Sequence, residues 1–156
     1  MLTAVGHVGS HLIAGALATQ GPTNDVALLP DALRQAMGHT RFRRLLADAG
    51  YDSEKNHRVC REELGVESVI KINPRARGRR WPLTPHRRRM RRKFPRGAYR
   101  RRSHAESIFS ALKRRLGSAT RATGGQAQTR ELLWKVLAFD LMILRRACQD
   151  LSTEPV

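Results

Sequence analysis

Residues 74–102 hold fourteen lysines and arginines and no acid. No fold of this chain can place that stretch in an apolar interior. Pro82, Pro85 and Pro95 punctuate it, and the composition predicts an extended basic insertion over residues 74–98 that stays mobile until an anion neutralises it. Planar guanidinium groups suit phosphate oxygens, and Trp81, Phe94 and Tyr99 offer rings on which an unpaired base can stack. The bias extends to the whole chain: 156 residues carry a net charge of +17 and a pI near 11.6. Such a field favours a polyanionic partner. Arg87, Arg88, Arg91 and Arg92 are the candidate nucleic-acid contacts within the run.

A chain of this length defaults to one domain, and its apolar segments lie on either side of the basic run. Residues 11–19 read as a buried strand or a short helix. Gly21, Pro22 and Asn24 break that pattern, and Asn24 or Asp25 can cap a helix through Met37 with Gly38 just past its end. Residues 43–48 read as a short strand ending on Asp48. After the turn at 49–51, Asp52 or Ser53 caps a helix that has Glu54 in its first turn and closes at Leu64, before Gly65. Residues 67–73, with Val69, Ile70 and Ile72, are the next strand. Strand, helix and strand in about thirty residues make a βαβ unit with a parallel pair. Asp48 then stands at the carboxyl edge of a sheet, where open α/β folds build their sites. Asp52 is assigned to capping.

Residues 97–117 read as one helix between glycine breakers. At about 100° per residue, Ala105, Ile108, Phe109, Leu112 and Leu116 share one arc as its core face. Tyr99, Arg102, Glu106 and Lys113, spaced three, four and seven apart, form a polar stripe beside it. Glu106 is the only acid between Glu67 and Glu131, and spacing alone makes it a local counter-ion. Residues 130–148 are apolar on more than one face, which predicts a deeply packed helix with Trp134 and the leucines in the core. Residues 149–156 are expected to fray.

Cys60 and Cys148 are too few and too far apart for a disulfide framework and read as reduced thiols. His7, His11 and His39 lack the i, i+4 pair with a nearby glutamate that marks a metal site and read as surface or packing residues. The first fifteen residues show no basic signal-peptide region. The apolar run at 132–144 is broken by Lys135 and Asp140 and falls short of the ~20 residues that cross a bilayer. A soluble cytoplasmic, nucleoid-associated protein with no membrane partner is the expectation.

Tyr99-x2-Arg102-x3-Glu106-x6-Lys113 resembles the signature of DDE-type insertion-sequence transposases, and the surrounding HAESIFSALKRRLG is similar to that family's wording. ADAGYDSE, at 47–54, resembles the segment around the family's second catalytic aspartate. The resemblance runs from about His11 to Leu144 and implies a ribonuclease H-like α/β fold that cuts and rejoins transposon ends with Mg²⁺ or Mn²⁺. It gives Asp48 and Glu106 the catalytic, metal-binding roles, and Arg102 and Lys113 contacts to phosphate or to the carboxylate. Tyr99 would lie near the DNA.

The family's first aspartate has no counterpart. Before Asp48 stand only Asp25 and Asp31, both beyond the strand at 11–19. The expectation is a carboxy-terminal portion of the catalytic domain over residues 1–156. Its fold would be an incomplete ribonuclease H-like one, a sheet of few strands flanked by helices. It would bind transposon-end DNA without cleaving it and hold metal weakly or not at all. Another copy, or a separately encoded transposase half, would be a further partner. The competing class is a noncatalytic nucleic-acid-binding protein, ribosomal or nucleoid-like, in which Asp48 and Glu106 are structural.

Overall fold

The computed structural model describes residues 1–20, 25–73 and 82–152. The chain divides into two compact units, one of residues 1–23 and 104–156, the other of residues 24–103. The expected cap at Asn24 and the ring of Trp81 lie outside the described residues, as does the first part of the basic run.

In the first unit, β1 (Leu2–Gly6) pairs antiparallel with β2 (Ile13–Ala18), Leu2 opposite Ala18 and Gly6 opposite Ile13, with a register shift between Val5 and Gly6. The strand expected at 11–19 is therefore present, and β1 is an element the sequence reading did not separate. The turn explains two of the histidines. His7 Nδ1 accepts the Ser10 amide at 3.0 Å and lies 2.8 Å from its hydroxyl. His11 adopts φ of 63°, the left-handed region that closes a tight turn.

Two helices complete the unit: α5 (Ser103–Leu116) and α6 (Gly125–Ser152). Ile13 and Ala16 of β2 are buried with Ile108 and Leu112 of α5 and Val136 and Phe139 of α6. Of the face expected on the 97–117 helix, Ile108 and Leu112 are buried in this core and Leu116 packs against it, while Ala105 and Phe109 are only partly covered. Glu106 in the first turn of α5, and Lys113, Arg114 and Arg115 in its last, complement the helix dipole. Asp140 on α6 accepts the Ile13 amide at 2.9 Å, beside the register shift. Burial raises its carboxyl above the ordinary range against the pull of that hydrogen bond.

The second unit is built on β3 (Arg44–Ala47) and β4 (Glu67–Ile70), parallel and in register from Arg44 opposite Glu67 to Ala47 opposite Ile70. The expected βαβ unit is present. Its crossover is a 3₁₀ turn (Ala49–Tyr51), helix α2 (Glu54–Arg58) and a π-helical turn (Val59–Glu63). Gly65 follows at φ +65°, a conformation glycine adopts without steric cost. Helix α1 (Asp25–His39) runs through Gly38 instead of stopping before it. Leu33, Val59, Cys60, Val66, Val69 and Ile70 are buried in this unit. Burial pushes the Cys60 thiol up to about 12, so it is inert; neither cysteine is in a disulfide.

Three expectations about helices are corrected. Residues 97–117 are not one helix: α4 (Arg96–Tyr99) and a 3₁₀ turn (Arg100–Arg102) precede α5. The basic run is not extended throughout, because α3 (Pro85–Arg92) forms within it. Finally, α6 is not buried all round, and it stays helical through 149–152, where fraying was expected. Trp134 is 67% exposed, and Leu133, Leu137, Leu141 and Leu144 are exposed with it.

Candidate active site

Asp48 follows the last residue of β3, at the carboxyl end of the parallel pair. Its Oδ1 accepts the Ala49 amide at 2.8 Å, which caps the 3₁₀ turn and holds the carboxylate at the strand tip. The side chain is 58% exposed. Tyr99 donates its hydroxyl to Oδ1 at 3.5 Å, and Arg102 Nη1 lies 3.9 Å from Oδ2. The 3₁₀ turn at Arg100–Arg102 helps set this geometry, since tight turns nearly eclipse residues three apart. The Arg102 guanidinium lies over the Tyr99 ring, 5.6 Å from its centroid, and Phe94 meets that ring edge-on at 4.9 Å. Two members of the sequence signature therefore gather on the strand-end aspartate. At these distances and exposures the contacts contribute little stability, on the order of 0.5 kcal/mol. They orient the carboxylate.

Glu106 and Lys113 belong to α5, in the first unit, and both are exposed. Seven residues apart on one helix, they share a face about two turns, or ~10 Å, apart. The stripe drawn on a single continuous helix holds for this pair. Tyr99 and Arg102 lie before α5 begins and reach Asp48 by the turn described above.

Asp52 is corrected from a helix cap to a buried anchor. Ser53 makes the cap, accepting the Asn56 amide at 3.1 Å. The Asp52 carboxylate is fully shielded. It accepts the Asn73 amide at 2.8 Å, Arg87 Nε at 2.9 Å and Arg87 Nη2 at 2.7 Å. This fork raises the Arg87 guanidinium pKa against the effect of burial. Arg87 is thereby engaged with the fold and partly covered, whereas Arg88, Arg91 and Arg92 are exposed.

Glu54 anchors the start of the same basic helix. It accepts the His86 and Arg87 amides at 3.1 and 3.2 Å, the orphan donors of the first turn of α3. Burial alone would push its carboxyl up. The Thr84 hydroxyl nearby and the two amides hold it below the usual carboxylate range. Pro85 at the first helical position and Met90 on the buried side complete the reasons for a helix here. Sequence reasoning missed Asp52 and Glu54 as partners of the run. The available signal was two acids, two residues apart, in a chain whose arginines have few counter-ions.

Pro85, Arg88, Arg89, Arg92 and Lys93 line a shallow concavity on this helix. Its chemistry is that of a phosphate cradle.

A model of the transposase DDE domain matches residues 2–141. The chain belongs to the transposase DDE domain family. Comparison with curated proteins and with solved structures gives no significant match. Members of this DDE family act on DNA and generally use divalent metals. Asp48 and Glu106 fit such ions in donor chemistry, since a hard cation prefers exposed carboxylate oxygens. Among the described residues no three acidic, histidine or cysteine side chains cluster to make a closed metal site. Among the described residues, too, no helix is long and apolar enough to cross a membrane.

Proposed function

We propose that this chain is a DNA-binding portion of a DDE transposase with a ribonuclease H-like plan, in which Asp48 and Glu106 supply metal-binding carboxylates. The observation that carries the reading is the convergence of Tyr99 and Arg102 on Asp48 at the carboxyl end of a parallel strand. Arg102 and Tyr99 orient that carboxylate. Lys113, Arg88, Arg91 and Arg92 contact the DNA backbone, and Arg87 holds α3 in place. When bound, Mg²⁺ or Mn²⁺ would neutralise charge on phosphate oxygens at the point of transfer.

With Asp48 and Glu106 as its two candidate carboxylates, the chain by itself binds transposon-end DNA without cutting it. Binding is tested by its salt dependence. Replacing Arg88, Arg91 and Arg92 together with glutamine should flatten the plot of log affinity against log salt by about 2 to 3, and an unchanged slope refutes their role. Metal is tested by calorimetry with Mn²⁺. A rise in melting temperature that disappears in Asp48→Asn/Glu106→Gln supports the site, and no rise in the wild type favours a noncatalytic nucleic-acid-binding protein. Mg²⁺-dependent nicking lost in Glu106→Gln would overturn the binding-only reading.

A further inference from the structure

The loop at 117–124 joins α5 to α6 and contains no acid. Gly117 and Gly124 turn the chain at its two ends, at φ of +83° and +94°, a region open to glycine without steric cost. Between them the loop is pinned to α6. Glu131 Oε2 accepts the Arg121 and Ala122 amides, each at 2.8 Å. Lys135 Nζ donates to the Ala119 carbonyl at 2.6 Å and pairs with Glu131 Oε1 at 3.1 Å. With a side chain only 15% exposed, Lys135 serves the fold.

The cations around the pinned loop do not. Lys113, Arg114 and Arg115 occupy the last turn of α5, Arg121 belongs to the loop, and all four are exposed. From Ser107 to Arg130 the sequence holds five cations and no acid, and none of these four forms an ion pair among the described residues. Ser118 and Thr123 add exposed hydroxyls. Arginine, lysine and serine or threonine are the side chains that contact phosphate oxygens. A rigid scaffold that fixes an exposed loop is the usual setting for a binding surface.

We propose that the corner between α5 and α6, through Arg114, Arg115 and Arg121, is a second DNA-backbone surface, and that Glu131 is its positioning residue. This rests on the DNA-binding reading above and extends it to the unit that does not contain α3. Lys113 lies at the edge of the surface and links it to the polar face of α5.

Charge and fixation make opposite predictions for Glu131. Its removal raises the net charge of +17 by one, so the overall field alone would tighten binding. Its removal also frees the Arg121 and Ala122 amides, and a loosened loop must be ordered again on binding, which weakens it.

Titration of a labelled DNA duplex with the full chain over a salt series tests both claims. Replacing Arg114, Arg115 and Arg121 together with glutamine should lower the slope of log affinity against log salt by about 2 to 3, because each neutralised phosphate contributes about 0.9. That loss should add to the loss caused by the α3 triple variant. Glu131→Ala should bind roughly threefold or more weakly. Glu131→Gln carries the same net charge but keeps an oxygen that can accept both amides, and it should recover the wild-type affinity. A wild-type slope in the Arg114, Arg115 and Arg121 variant, alongside a flattened slope in the α3 variant, overturns the second surface and leaves the DNA-binding reading standing. A wild type that does not bind DNA overturns both. Equal or tighter binding by Glu131→Ala, or equal weakening by Glu131→Gln, overturns the positioning role. The three arginines are exposed, so their variant should keep the wild-type circular dichroism and melting temperature, and it decides the surface even if Glu131→Ala unfolds.

Discussion

Lowering the pH from neutral towards 4 should destabilise this protein through His57, by an amount its surroundings set. The imidazole is fully buried, with Nδ1 2.7 Å from the Ser68 hydroxyl. Arg61 already donates to that oxygen at 2.9 Å, so the hydroxyl proton is directed to Nδ1. The proton of the neutral ring then sits on Nε2, which has no hydrogen-bond partner. A second proton, on Nδ1, would turn the Ser68 hydroxyl away and place a charge in a buried site where the Nε2 proton has no acceptor. Burial, helped by Arg61 and His86 and opposed by Asp52 and Glu54, lowers the pKa from 6.5 to about 4. Between those two values the unfolded chain binds a proton that the folded chain refuses, so stability rises with pH across the window and falls as acid is added. At about 1.36 kcal/mol per unit, the loss on reaching pH 4 is about 3 kcal/mol, a large share of a typical 5–15 kcal/mol total. Urea unfolding of wild type and His57→Gln between pH 7 and 4 measures it. Glu54, Glu62 and Glu131, whose carboxyls are all held low, lose their own stabilisation in acid, but in both proteins alike. The difference between the two curves should narrow by about 3 kcal/mol towards pH 4. A difference that stays flat refutes the assignment.

Removing Arg87 by Arg87→Met leaves the shielded Asp52 carboxylate with the Asn73 amide alone, an expected loss of about 3 kcal/mol by chemical denaturation. Ser53→Ala, which deletes the cap of α2, should cost about 1 kcal/mol in the same assay. Phe139→Ala opens a cavity in the core shared by β2, α5 and α6, with an expected loss of about 4 kcal/mol. A loss below about 1 kcal/mol would show that the helices repack around it.

The parts legible in the sequence were those where local pattern and burial agree. The strand ending at Asp48 and the strand from Glu67 are short apolar runs bounded by turn residues, and both are buried as a parallel pair. Ile108 and Leu112 were readable because helical spacing put them on one arc. Strand β1 was harder, since five residues of mixed polarity pair only because β2 lies opposite. Helix α3 was hidden by its own charge: arginine-rich composition signals disorder unless acids from elsewhere engage it, and Asp52 and Glu54 lie about thirty residues upstream. Trp134 misled for the opposite reason, because a helix apolar all round reads as buried whether or not anything covers it. At the site, the signature spacing brought Tyr99 and Arg102 into view, but their meeting at Asp48 depends on a 3₁₀ turn that periodicity does not announce.

The clamp that Asp52 and Glu54 place on α3 changes how the protein would meet its ligand. A floppy cationic tail must surrender backbone freedom as it wraps a polyanion, and the affinity per contact falls accordingly. Arginines on a helix fastened at its first turn have already lost that freedom before any encounter. Docking should then proceed almost as a rigid body, with little change in helical circular dichroism on complex formation, and the positive charge presented as a fixed pattern instead of a diffuse cloud.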